Sequence, residues 1–423
     1  MINQSTYRHY FKVLLVGVLV TCFATFKAEA QDSDLYIYGY NQTIFNAKRI
    51  HYTLYPNEQN GLELDGTLDN SFETNSFALH QLNLFLQKQI TNETTFFLNV
   101  EATGSFSTRY QSGTFNIQEG WINHRFNSML NLKVGLLLPV YNNLSEIKNR
   151  LPLFPYLIRP LVYEDLFEGL FNIENYYPQR AYLQLSGLTS ISSDMIFEYA
   201  LYVGNSEPSY LSNRPPGQGI GTEQASGTLY RGENLTKMLA YGGRIGLSNY
   251  EETFKVGLSG SFDHDNRNEP TEESLARLPV QVLPVFGDVP RYRLGVDFSF
   301  SAYDFNFESE FMGVYHDHSD IHKISAYRNV NLNKYFGYVM LSYNFNTKHY
   351  VFGSYNNLTD KAFDFLLDDS PDGKGLHAVF SGYGFRPTDE LTFKAQYTYG
   401  IIGENRHLDL ELGIVTFGVS LIF

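Results

Sequence analysis

What most constrains this chain is a rhythm that runs along it. Short segments of alternating apolar and polar residues are joined by connections that are alternately short and long. Residues 291–300, RYRLGVDFSF, put Tyr292, Leu294, Val296, Phe298 and Phe300 on one side, and Arg291, Arg293, Asp297 and Ser299 on the other. Residues 391–399 set Leu391, Phe393, Ala395, Tyr397 and Tyr399 against Thr392, Lys394, Gln396 and Thr398. A repeat of two is that of a β-strand with one oily and one polar face. About sixteen such segments are legible: 35–45, 77–89, 94–105, 114–126, 130–139, 179–188, 195–203, 237–249, 253–265, 290–302, 304–315, 333–345, 348–357, 375–386, 391–401 and 408–423. Most have the roughly ten residues that a tilted strand needs to cross a bilayer.

The connections sort by length. Short ones lie at 91–94, 126–129, 189–194, 249–252, 301–304, 344–348 and 387–390. Long polar ones lie near 46–76, 140–178, 204–236, 266–289, 316–332 and 358–374, with shorter members at 106–113 and 402–407 on the same side. A soluble sandwich has no reason to sort its loops in this way. The expected fold is therefore all-β: a transmembrane antiparallel β-barrel of about sixteen strands, with short periplasmic turns and long extracellular loops.

Both ends of the chain agree. Residues 1–30 read as a secretory signal peptide: Arg8 and Lys12 precede the apolar run 13–26, and Ala28-Glu29-Ala30 is a small-x-small cleavage site. Cys22, the only cysteine, lies within that leader, so 31–423 is read as one thiol-free barrel domain without disulfides. The last eleven residues, GIVTFGVSLIF, set Val415, Phe417, Val419, Leu421 and Phe423 on one parity. Such a strand ending in Phe resembles the insertion signal of Gram-negative outer-membrane proteins, which implies Phe423 as the signal residue and the β-barrel assembly machinery as a partner. Leu408, Leu410 and Leu412 fall on the opposite parity, so a bulge or change of register is expected near Gly413. Only residues 31–34 precede the first strand, which argues against a plug domain. Tyr141, Tyr202, Tyr315, Tyr355 and Tyr399 at one rim, and Phe126, Tyr250, Tyr303, Phe345 and Phe423 at the other, are expected to form aromatic girdles in contact with outer-membrane lipid.

Sixteen strands enclose more space than wall side chains fill, so a water-filled lumen is expected. Inward candidates carry both signs, among them Lys133, Arg180, Arg244, Arg291, Arg293 and Lys394 against Glu101, Glu119, Asp263, Asp297 and Glu310. On a lipid face near mid-membrane each basic residue would cost about 2–4 kcal/mol.

The loop at 140–178 differs from the others because it contains LPLFPYLIRPLVY, an apolar stretch with three prolines. Such a stretch is costly to leave in water and too irregular for a strand. Its flanks, LNLKVGLLLPVYNN (130–143) and YYPQRAYLQLSGL (176–188), resemble the corresponding segments of Gram-negative outer-membrane porins of the phosphate-selective type. There a strand ending in Gly-x-x-x-Pro leads into a loop and Pro-x-Arg begins the next strand. The resemblance implies a channel for passive diffusion of small hydrophilic solutes, an inward-folded constriction loop at 140–178, and a homotrimer. Glu146, Lys148, Arg150, Glu164, Asp165 and Glu168 would then border the opening, with Arg180 at the loop's end and Arg244, Arg291 and Arg293 on the wall opposite. Two other readings stay open: a non-conducting barrel that serves as an assembly or adhesion partner, and a channel for hydrophobic compounds.

No nucleophile–base set or acidic dyad stands out, so an enzyme is not expected and no cofactor is implied. His316, His318 and His322 with Asp317 and Asp320 are the best metal candidates, and read more simply as a polar loop tip. Nucleic acid is excluded by charge: losing Arg8, Lys12, Lys27 and Glu29 with the leader takes the formal charge from −14 to −16. Acidic residues also crowd the mouth loops, including Glu58, Glu63, Asp65 and Asp69, then Asp368, Asp369 and Asp372. A negative mouth concentrates cations. Reversal potentials are therefore expected to show a mild cation preference that fades with salt, since exposed charges are screened over about 10 Å at 0.1 M. Anion preference at low salt would overturn this.

Overall fold

The computed structural model describes residues 35–54, 68–103, 114–164, 176–206, 239–265, 289–319, 331–361, 375–402 and 408–423. The leader 1–30 lies outside them, as do Glu58, Glu63, Asp65, Asp165, Glu168, Asp320, His322, Asp368, Asp369 and Asp372.

Sixteen strands form one closed antiparallel barrel. They are β1 (Leu35–Leu54), β2 (Leu68–Gln89), β3 (Thr94–Thr103), β4 (Thr114–Asn127), β5 (Leu130–Leu137), β6 (Ala181–Ser190), β7 (Met195–Asn205) and β8 (Leu239–Asn249). The second half comprises β9 (Phe254–Asp265), β10 (Val289–Ala302), β11 (Phe305–His316), β12 (Lys334–Asn344), β13 (His349–Asp360), β14 (Leu376–Phe385), β15 (Leu391–Ile402) and β16 (Leu408–Ile422). Each strand pairs with its sequence neighbours, and β1 pairs with β16 from Tyr40↔Ile422 to Leu54↔Leu408, which leaves no free edge. Closure is what the bilayer demands, because an unpaired backbone group in hydrocarbon costs several kcal/mol.

The alternation decides the two faces. Val415, Phe417, Val419 and Leu421 of β16 are exposed on the outside, as are Tyr292, Leu294, Val296 and Phe300 of β10. Thr416, Ser420, Gln396, Thr398 and Asn356 have the opposite parity and are buried inside. This chain is an integral outer-membrane barrel.

Several strand ends differ from the sequence reading. β1 and β2 run on to 20 and 22 residues, so much of the stretch read as a loop at 46–76 is a paired hairpin. The outward pairs Arg49–Glu73 and His51–Asp69 flank that extension at 3.7 and 3.5 Å. β5 stops at Leu137, two residues early. No register shift occurs at Gly413 in either ladder of β16. Instead Leu410, Leu412 and Ile414 point inward and are 9 % exposed or less, because an apolar segment inside the barrel covers them. Tyr141 and Tyr202 are likewise buried inside rather than at a lipid rim. Tyr355, Tyr399, Phe126, Tyr250, Tyr303, Phe345 and Phe423 are exposed.

The barrel closes at its lower rim through Phe423, whose N–H donates to Gly39 O at 3.0 Å and whose carbonyl accepts from Gly39 N at 2.8 Å. The ring lies over Gly39, where an added Cβ would meet Asn83 O at 2.4 Å and Phe423 Cζ at 2.6 Å. Deleting Phe423, or Gly39→Val, is therefore expected to lower the amount of heat-modifiable barrel recovered from membranes. Unchanged recovery at native expression would count against a closing role for this pair.

Candidate functional site

The segment after β5 lies against the inner wall. Its two short 3₁₀ turns, Leu151–Leu153 and Leu161–Tyr163, carry Pro152 and Pro160 at or beside their starts. Proline suits a turn start because its fixed φ is already correct and its missing N–H would have no partner there. Leu144, Leu151, Tyr156, Ile158, Leu161 and Val162 form one buried cluster with wall residues of β11–β16, including Met312, Phe336, Phe352, Phe380 and Leu412. Each fully buried leucine contributes about 1.5–3 kcal/mol. Leu157 seats on Gly418 of β16, where any Cβ would come within 2.4 Å of Leu157 Cδ2.

An irregular backbone in this place needs polar partners, and wall side chains supply them. The Val140 and Asn142 amides donate to Gln184 Oε1 and Ser259 Oγ at 3.2 and 2.9 Å. Glu310 accepts from Leu144 N at 2.7 Å and from the Tyr163 hydroxyl at 2.8 Å. Gln396 Oε1 accepts from Leu157 N and Ile158 N at 2.7 and 3.1 Å, and Asn356 Oδ1 from Leu161 N at 3.2 Å.

Residues named from the sequence fall into three groups. The first lies on the segment itself. Glu146 pairs with Lys133 of β5 at 2.9 Å. Lys148 is buried with its ammonium 3.7 Å over the Tyr177 ring. The Arg150 amide donates to Ile147 O at 2.8 Å, and its carbonyl accepts from Leu153 N at 3.0 Å, so it frames the first 3₁₀ turn. Glu164 pairs with Arg159 at 3.0 Å and stands 3.8 Å from His80 Nε2. Arg180 reaches back to Gln118 Oε1 of β4 at 3.1 Å.

The second group is the wall arginines. Arg244 is forked onto Asp297 at 2.7 and 3.0 Å and also reaches Glu198 at 2.5 Å. Arg291 makes two bonds to Asp263, at 2.7 and 2.5 Å, and Arg293 shares that carboxylate at 3.0 Å. All three arginines are buried. They are not bare cations facing the acidic flanks of the segment; pairing inside the wall offsets the cost of burying them. The third group, Asp165 and Glu168, lies outside the described residues.

The sequence reading missed Arg159, which bonds Glu164, Asn149 Oδ1 and Lys148 O and ties the segment to itself. It also missed the anchoring roles of Gln396 and Asn356. Their one signal is an amide at an inward strand position. Across β1–β4 the inner wall carries a stack of rings: Tyr38–Phe85 at 5.1 Å, Phe85–Phe97 at 5.7 Å and Phe97–Trp121 at 4.8 Å. Phe85 and Phe97 in the middle of the stack are buried, and Tyr38 and Trp121 at its ends are half-buried. Of the histidine cluster, His318 accepts from Leu332 N at 2.9 Å, as a loop-ordering contact does.

No family model matches this chain, and no curated protein matches it. Solved structures do. The outer-membrane channel DcaP of Acinetobacter baumannii is similar at 12 % identity and a TM-score of 0.53, over 92 % of this chain and 97 % of that one. An anion-selective porin from Comamonas acidovorans is similar at 10 % identity and a TM-score of 0.53, over 92 % and 100 %. OmpF of Salmonella typhi, in complex with daunomycin, is similar at 11 % identity and a TM-score of 0.52, over 92 % and 98 %. At these identities the likeness is one of fold.

Burial alone would raise the Glu164 carboxyl, but Arg159 and His80 outweigh it and hold it well below its ordinary value of 4.5. A carboxylate depressed in the folded state stabilises that state above its unfolded pKa, and loses this only as pH falls through the lower folded value. Amide protection at Leu161 and Tyr163 is therefore expected to hold from neutral pH to about 4.5 and to fall only below it. Glu164→Gln should lower that protection from neutral pH to about 4.5 and remove the fall below it. Hydrogen exchange, corrected for intrinsic rates, checks both.

Proposed function

We propose that this chain is a porin, a passive channel for small hydrophilic solutes narrowed by the 140–178 segment, and not an enzyme. The supporting observation is that charges of both signs keep contact with water inside the barrel. The side chains of Glu146 and Lys133 are 33 % and 16 % exposed, and that of Glu198 is 32 %. They lie on the segment and on β5 and β7, away from the β11–β16 wall that the apolar cluster covers. A lumen sealed throughout would leave such groups dry, at a cost of several kcal/mol per ion. Opposed charges bordering an aqueous gap orient polar solutes and slow apolar ones. Glu146 and Lys133, with Arg150 nearby in sequence, are the proposed border of the narrowest point, and Lys148 and Glu164 are read as fastenings. Assembly as a homotrimer belongs to the same reading, by analogy with the porin families that the chain resembles.

The second reading is a non-conducting barrel filled by the segment, and the extent of the buried cluster favours it. Single-channel recording in planar bilayers separates the two. Replacing 151–168 by a short Gly-Ser link is expected to raise conductance and admit larger sugars, with the barrel still heat-modifiable. Conductance and size cut-off unchanged from wild type would place the segment outside the conducting path.

A further inference from the structure

The inner wall of β15 carries a lysine whose surroundings the channel reading does not use. Lys394 Nζ lies 2.6 Å from Phe154 O, 3.2 Å from Pro152 O, 3.3 Å from Leu151 O and 3.4 Å from Tyr156 O. All four partners are backbone carbonyls of one six-residue stretch. The lysine is 4 % exposed, and no carboxylate pairs with it among the described residues. Its cross-strand neighbours on both sides are glycines, Gly384 and Gly418. Those two positions hold no side chain of their own: the Leu157 side chain packs onto Gly418 and the Tyr350 ring lies over Gly384, one on each side of the lysine. Tyr350 crosses Gly384 and donates to Pro155 O at 3.1 Å. Five of the six carbonyls from Leu151 to Tyr156 thus take a donor from the wall.

The composition of the segment explains the need. Between 151 and 160 the chain LPLFPYLIRP has ten carbonyls but only seven N–H groups, because Pro152, Pro155 and Pro160 have none. A proline-rich backbone buried in a barrel carries an excess of acceptors that it cannot satisfy alone. An ammonium offers three donors in a compact point charge, and bonds from a charged donor are about twice as strong as neutral ones. In turn, four carbonyl dipoles replace the water that the buried cation has lost.

We propose that Lys394 is the positioning residue of the constriction: its charge templates the fold of 151–156 and holds the whole segment against the β11–β16 wall. This rests on the channel reading only for its consequence, the width of the passage. The position of the segment can be tested without current. In a Cys22→Ser background, Leu157→Cys and, separately, Leu161→Cys place a thiol where the side chain is now 0 % and 2 % exposed. Maleimide labelling of the folded barrel then reports lifting of the segment.

With Lys394 present, both thiols should label slowly. Lys394→Ala should speed labelling at least about tenfold, the scale set by losing charge-assisted bonds, while the barrel stays heat-modifiable. Propylammonium in the bath replaces the missing stem and charge, and should restore slow labelling; propan-1-ol, of the same length, should not. Lys394→Arg, if folded, should label at an intermediate rate, since a planar fork fits a four-carbonyl cage poorly. Unchanged labelling in Lys394→Ala would overturn the proposal, because the segment would then be held by the other wall residues without the lysine, Gln396, Asn356, Glu310 and Tyr350 among them. Equal rescue by propan-1-ol would overturn the role of charge. A wild-type barrel that labels slowly but carries no current would sink the channel reading and leave this one standing.

Discussion

Every backbone N–H and C=O that faces lipid or is buried at membrane depth must find its partner within the protein. The wall meets this by closing, since β1 pairs with β16 and no edge is left. The segment after β5 cannot meet it in that way. Its prolines and 3₁₀ turns give it no ladder, and it lies inside the barrel, so the demand passes to wall side chains. Gln184, Ser259, Glu310, Asn356, Gln396, Tyr350 and Lys394 each answer a backbone group of the segment. Such residues are spread over strands from β6 to β15, so the segment draws its partners from most of the wall.

That requirement divides the interior. On β11–β16 the inward face is apolar where the segment covers it: Met312, Phe336, Phe352, Phe380, Leu412 and Ile414 would be an odd lining for a water-filled tube. Elsewhere the inward face carries ion pairs, Arg244 with Asp297 and Glu198, and Arg291 and Arg293 with Asp263. Pairing neutralises the wall locally, so in the proposed channel the charges left to act on a solute are the partly wet ones, Glu146 and Lys133 above all. In that proposed channel, a passage between one apolar-packed side and one polar side would be narrow by construction.

Leu410 and Leu412, which face inward on β16, illustrate how local pattern misleads. Leu408, Leu410 and Leu412 against Val415, Phe417 and Val419 suggested a register change, because a lipid-exposed strand should be oily on one face only. The strand is regular, and both parities are apolar because two different apolar media meet it, lipid outside and the segment inside. Tyr141 and Tyr202 were misplaced for the same reason. An aromatic near a strand end looks the same in sequence whether it meets a headgroup or a buried loop.

Strand number, inward parity, loop sorting and the apolar centre of 140–178 were all legible in the residues themselves, because a period of two and a cluster of prolines are properties of neighbours along the chain. The partner of each charge was not. Nothing near Arg291 in sequence points to Asp263, 28 residues away, and nothing near Lys394 points to Phe154, 240 residues away. The first pair is set by the register of the β9–β10 ladder, in which the two residues face each other, and the second by where an irregular segment comes to rest inside the barrel. Neighbours along the chain are enough to make a barrel and to mark the stretch that leaves its wall; what that stretch leans on is settled only in the folded barrel, because an unsatisfied carbonyl does not name its donor.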